Sequence, residues 1–350
     1  MICVKLLSLE HLGRSLGIMT VASAMGFALG PALGGFLVGV LSWHWIFLIN
    51  IPIGVLGVVL GYLSLPVEET REASVDVKGA VLLFAAVGFG VFALERMSYP
   101  DERVYCLASA VATVVLLALY VAESMRSRNP LLDLRLFRIR DLDLTLLSYV
   151  IINLVYMGVL YILPFYMELE LGLSTLQSGV LLLLPSLVSL TLNIPVGSCS
   201  DRRGRRPFAI AATVFAVAYS VMLCLVTPDM GVAPLVVVAI LIGLTWGFGG
   251  SSSSGRIVDS LDPEDKPLGS SLMTFVIYVG STIGTALFAS LLTTGGGSAG
   301  VPIEELTSEA FMSGMLYAMV WATALSVVSL VAAWAVDERK RSVRNGRSGA

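Results

Sequence analysis

Runs of about twenty apolar residues recur along this chain, each long enough to cross a hydrocarbon layer about 30 Å thick. Reading them between breakers and charges predicts ten helices, near residues 17–41, 44–65, 77–97, 103–124, 142–166, 176–199, 207–227, 232–254, 268–293 and 310–336. Composition agrees. Of the 350 residues 56% are hydrophobic and 13% charged, where a soluble domain carries about 25% charged residues. The fold class expected is an all-α polytopic membrane protein in the lipid bilayer.

Sidedness follows from the cations, because cytoplasmic loops hold an excess of Lys and Arg. With a cytoplasmic N-terminus, all of the 22 Lys and Arg except Arg96 and Arg103 fall inside. An even number of spans then puts both termini in the cytoplasm, as expected of a multi-pass protein of the plasma membrane.

Several chemistries are not expected. Cys3, Cys106, Cys199 and Cys224 lack paired spacing, and the histidines are only His11 and His44, so neither a disulfide framework nor a metal site is indicated. There is no nucleophile–base pair and no phosphate loop. No enzyme activity, cofactor or nucleic-acid partner is expected, and "MICVKLLSLEHLGRSLG" lacks the apolar core and cleavage site of a signal peptide.

The stretch "GFALGPALGGFL" (26–37) places four glycines and a proline inside an apolar run. In an exposed helix each glycine costs about 1 kcal/mol and the proline about 3. In lipid, glycine lets two backbones approach, and a proline bend is tolerated when neighbours re-satisfy the backbone. The alternative is the general enrichment of Gly and Pro in membrane helices. The spacing is stricter than that enrichment: Gly17, Gly26, Gly30, Pro31, Gly34 and Gly35 match every defining position of the antiporter motif of the major facilitator superfamily, which the chain resembles. "SWHWIFLINIPIG" (42–54), with His44 where arginine is usual, and "NPLLDLRLF" (129–137) resemble segments of its fourteen-span drug:proton antiporters. "GSCSDRRGRRP" (197–207) resembles its cytoplasmic-loop motif through Gly197, Asp201, Arg202, Gly204, Arg205 and Arg206.

The resemblance implies export of small, amphipathic, drug-like compounds in exchange for protons, by rocking of two bundles. It assigns 1–65 to the last two helices of an N-terminal bundle and 66–141 to two linker helices with their cytoplasmic connection. Residues 142–336 become the C-terminal six-helix bundle, and 337–350 a basic tail. So aligned, the family's first four helices are absent. That leaves open a same-fold transporter of another solute or direction, or a half that needs a partner chain supplying those helices.

Within the cytoplasmic-loop motif, Asp201 is expected to face the N-terminus of the next helix, where an anion is favoured. The alternative is a merely basic turn. Proton coupling usually needs an intramembrane carboxylate, and no predicted span has one near its centre. Glu168, at a predicted edge, is the one candidate; its other reading is a solvated extracellular residue. Tyr149, Asn153 and Tyr156 share a helix face, Thr274, Tyr278 and Ser281 another, and Trp246 stands in an apolar helix. These are the candidate substrate-binding residues, with interhelical packing as the competing role.

Overall fold

Local capping signals start the helices where hydropathy alone leaves their ends vague. Asp76 accepts a hydrogen bond from the Gly79 amide at 2.8 Å, and Thr307 from the Ala310 amide at 3.3 Å. Ser174 and Gln177 form a reciprocal box, with Ser174 N–H donating to Gln177 Oε1 at 2.9 Å. Such caps satisfy amides that have no intrahelical acceptor.

The computed structural model describes residues 26, 30, 33–64, 76–97, 99–127, 134–261 and 266–336. Residues 33–40 are helical (α1), the only described continuous part of the predicted first span; Gly17 and Pro31 lie outside the described residues, as does the basic tail. Then follow α2 (His44–Ser64, broken at Ile49), α3 (Val77–Arg96), α4 (Arg103–Arg126), α5 (Arg140–Phe165), α6 (Thr175–Arg203), α7 (Arg206–Leu225), α8 (Ala233–Asp259), α9 (Lys266–Gly295) and α10 (Ser308–Ala335). Among the described residues there is no strand, and nine helices are long and apolar enough to cross a membrane.

Helices α5 to α10 pack into one bundle, in which α5 pairs with α9 and α10, α6 with α8, and α7 with α8 and α10. Lipid does not drive helices together, so these seams depend on close van der Waals fit. Small residues make that fit possible. A Cβ on Gly243 would lie 2.6 Å from Val188 Cβ, and one on Gly247 2.8 Å from Leu192 Cβ, so α8 rides directly on α6. Gly280 plays the same part between α9 and α5, where a Cβ would lie 3.0 Å from the Val150 carbonyl oxygen. Serine pairs add interhelical hydrogen bonds: Ser148 and Ser329 hydroxyls are 2.9 Å apart between α5 and α10. The core holds Val155, Tyr166, Tyr219, Phe288 and Phe311, each at most 1% exposed.

The hairpin α3–α4 docks on this bundle through α3 against α9. Helix α2 buries none of its residues. Charge divides between the two ends of the molecule: Arg126, Arg140, Arg202, Arg203 and Arg256 lie at one, and Glu95, Glu170, Asp229 and Glu304 at the other. These are called the basic and the acidic end below.

Candidate functional site

At mid-bundle three aromatic rings meet. Tyr149 and Tyr156 stand two turns apart on α5, and both present edges to Trp246 of α8, with ring centroids 6.3 and 5.1 Å away. Asn153, between them on the same face, is 1% exposed and donates to the Tyr149 carbonyl at 2.8 Å. Ser254 and Asn153 side chains flank the Tyr149 hydroxyl. Asn153 Oδ1, Trp246 Nε1 and the Tyr219 hydroxyl are among the buried polar atoms with no hydrogen-bond partner among the described residues. Leaving such a group unmatched costs about 1–3 kcal/mol, so unmatched atoms on the residues of this cluster, and on Tyr219, which interacts electrostatically with Tyr156, call for a ligand, a water or an opposing helix.

Thus Tyr149, Asn153, Tyr156 and Trp246 come together. The α9 stripe does not join them. Tyr278 is 69% exposed and Thr274 is also exposed; Ser281 is half-buried, with an Oγ that has no partner among the described residues. The face of α9 that meets α5 carries Gly280 and Gly284 instead, since only glycine admits the α5 backbone there. Tyr219 was not expected at the site. It is a lone tyrosine in an apolar helix, and no sequence signal distinguishes it.

At the basic end, Gly204 turns α6 into α7 with a φ of 89°, a conformation that a side chain resists. The turn brings Arg205 back over α6. Its guanidinium reaches Asp201 Oδ1 at 2.8 Å and Asp259 Oδ2, at the end of α8, at 2.5 Å. Arg206 donates to the Trp334 carbonyl at 2.6 Å, occupying an otherwise unpaired acceptor in the last turn of α10. Gly197 packs on Ser251 of α8, with 3.4 Å from a built Cβ to its Oγ, whereas Arg202 is exposed. The Asp201 carboxylate therefore engages the arginine that opens α7 and ties it to α8.

The glycines of the 26–37 stretch are unequal. A Cβ on Gly35 would fall 2.6 Å from the Thr175 carbonyl oxygen and 3.5 Å from Gly179 Cα, so α1 lies backbone to backbone against the start of α6. Gly26, Gly30 and Gly34 meet nothing within 4 Å among the described residues. Glu168 belongs to neither a loop nor an ordinary helix end. After Pro164, α5 widens into a π turn, Tyr166–Glu170, in which the Leu171 amide donates to the Tyr166 carbonyl at 3.2 Å. Half-buried Glu168 accepts from Thr175 Oγ1 at 3.5 Å, beside the α1–α6 seam.

Comparison with known proteins matches residues 2–285 to the Major Facilitator Superfamily. The chain is 31% identical over 297 residues to the "Multidrug resistance protein B homolog" of Mycobacterium tuberculosis, covering 81% of this chain and 54% of that protein. It is 28% identical to "Riboflavin transporter RibZ" of Clostridioides difficile, covering 79% and 60%. It is 27% identical to the "Putative multidrug resistance protein MdtD" of Escherichia coli, covering 94% and 69%. Against the mycobacterial relative the chain thus spans about half the partner's length. An all-helical fold of membrane-crossing length, its seams of small residues and the extent of the match agree: this chain belongs to the Major Facilitator Superfamily.

Proposed function

We propose that the chain forms part of a secondary transporter that exports small amphipathic compounds in exchange for protons. The observation that carries this reading is the Tyr149–Tyr156–Trp246 cluster, with Asn153 Oδ1 and Trp246 Nε1 unmatched beside it. An apolar aromatic wall with a few unspent polar atoms suits a flat or cationic organic molecule. The opposing wall belongs to a second bundle, from the same polypeptide or a partner chain, and transport follows from rocking of the two around the cavity. Arg205 would hold the basic, cytoplasmic end closed in one state, and Glu168 would carry the exchanged proton. The protein would lie in the cell membrane with Ser127 and the end of α10 on the cytoplasmic side. Multidrug resistance in the names of two relatives supports the substrate class.

A second reading, uptake or export of a polar heteroaromatic vitamin, draws on the riboflavin relative; an isoalloxazine-like ring would stack on the same indole. The test is flux of a fluorescent amphipathic cation and of riboflavin in proteoliposomes holding the whole transporter, with and without a pH gradient. The expected result is cation flux that collapses with the gradient and a KM raised about tenfold in Trp246→Ala, the worth of about 1.4 kcal/mol of contact. Flux indifferent to the gradient removes the coupling. Flux indifferent to Trp246→Ala removes the site.

A further inference from the structure

A cavity of about 220 Å³ opens at the acidic end, between the α3–α4 hairpin and the bundle. Glu95 and Tyr99 line it from the hairpin, Tyr161 and Phe165 from α5, Thr293 from α9, and Glu304 from the α9–α10 connection. None of the residues around Trp246 contributes. Its shape is fixed by packing. Gly300, at a φ of 84°, lets the connection pass beneath Tyr99, where a Cβ would lie 3.4 Å from the ring. Tyr161 and Phe165 meet edge to face at 5.5 Å.

The lining pairs aromatic faces with excess negative charge. Glu95 and Glu304 both act electrostatically on the Tyr161 hydroxyl. Arg96, the next residue along α3, is bound to Glu102 at 2.8 Å and does not neutralise them. Its guanidinium lies 5.5 Å from the centroid of Tyr99, which already shows that ring receiving a cation. Residues 296–309 add Glu305 and Glu309 and no Lys or Arg, so the local field favours cations. A divalent metal is a poor match, since calcium takes six to eight hard oxygens and no group of three or more metal-binding side chains gathers among the described residues.

We propose that this cavity is a second binding site, for a small organic ammonium ion. The ion's alkyl groups lie against Tyr99, Tyr161 and Phe165, and its charge faces Glu95 and Glu304. Drug-sized ligands occupy pockets of about 300–1,000 Å³, so the site takes a head group of choline size rather than a whole drug.

The test is titration of the 350-residue chain with choline in a maltoside detergent, which carries no ammonium group, followed by saturation-transfer NMR of the choline methyl protons. Saturable binding is expected, weakened about tenfold or more in Tyr161→Ala and in the double variant Glu95→Gln/Glu304→Gln, and unchanged in Trp246→Ala. Both glutamates are exposed, so the double variant leaves the packing intact. The uncharged isostere of choline, with tert-butyl in place of trimethylammonium, is expected to bind as weakly as the double variant allows. Absence of saturable binding, equal binding by the double variant, or loss of binding in Trp246→Ala alone each overturns the site.

Discussion

The Arg205 guanidinium lies directly over Gly255 of α8, so close that a Cβ on that glycine would overlap its Cζ. The contact lets one arginine reach both Asp201 and Asp259 across two helix ends. Both carboxylates are 62% exposed, and exposed pairs contribute about 0–1 kcal/mol each. Gly255→Val is therefore expected to leave thermal stability within a few degrees while reducing transport by the whole protein several-fold, because the clamp loses its seat. Unaltered flux would show that the clamp has no part in the cycle.

The seam between α1 and α6 is specific to one glycine. Gly35→Leu drives a side chain into the Thr175 carbonyl, whereas Gly34→Leu enters space that is open among the described residues. Overpacking costs about 1–3 kcal/mol. Transport and expression of the two variants, measured side by side, are expected to fall for position 35 far more than for position 34. The reverse order would remove the α1–α6 contact as the reason for the motif.

Gly280 offers a similar comparison inside the bundle. Gly280→Leu places a branched side chain against the Val150 carbonyl and Asn153, and is expected to lower the unfolding temperature in detergent by several degrees. Tyr278→Ala on the same helix removes a ring that is 69% exposed and is expected to change it little. Equal shifts would overturn the orientation given to α9.

Proton exchange is expected to depend on Glu168. Glu168→Gln keeps the shape of the side chain and its contact with Thr175, but cannot release a proton. Flux driven by a pH gradient is expected to drop at least several-fold, with exchange of labelled for unlabelled substrate preserved. Undiminished gradient-driven flux would place the coupling group elsewhere.

Orientation can be read with thiol reagents. In a cysteine-free background, Ser298→Cys, on the α9–α10 connection, is expected to react with an impermeant maleimide in intact cells, and Ser127→Cys, after α4, only after lysis. Labelling of Ser127→Cys from outside would invert the topology.

The nine long apolar helices of the described residues and the charge division were legible in the sequence because each rests on local physics: run length and loop cations. Tyr149, Asn153 and Tyr156 were legible too, since one helical face gathers them whatever surrounds it. Which face of α9 turns inward was not. That depends on Gly280 and Gly284 matching the α5 backbone, a fit between elements far apart in the chain. The same holds for the choice of Gly35 over its neighbour Gly34. The π turn that holds Glu168 follows Pro164, but a proline announces only that the helix must adjust, not that it widens.

The docking of α3 on α9 assigns the hairpin to one mechanical body. The hairpin is held by α9, one of the helices from α5 onward. The acidic-end cavity is built wholly within that body, from Glu95 to Glu304. A ligand held with equal affinity in two states shifts no balance between them, however tightly it binds. In the cycle proposed above, an ammonium ion lodged there would thus travel as ballast, leaving the ratio of inward- to outward-facing transporters where it stood.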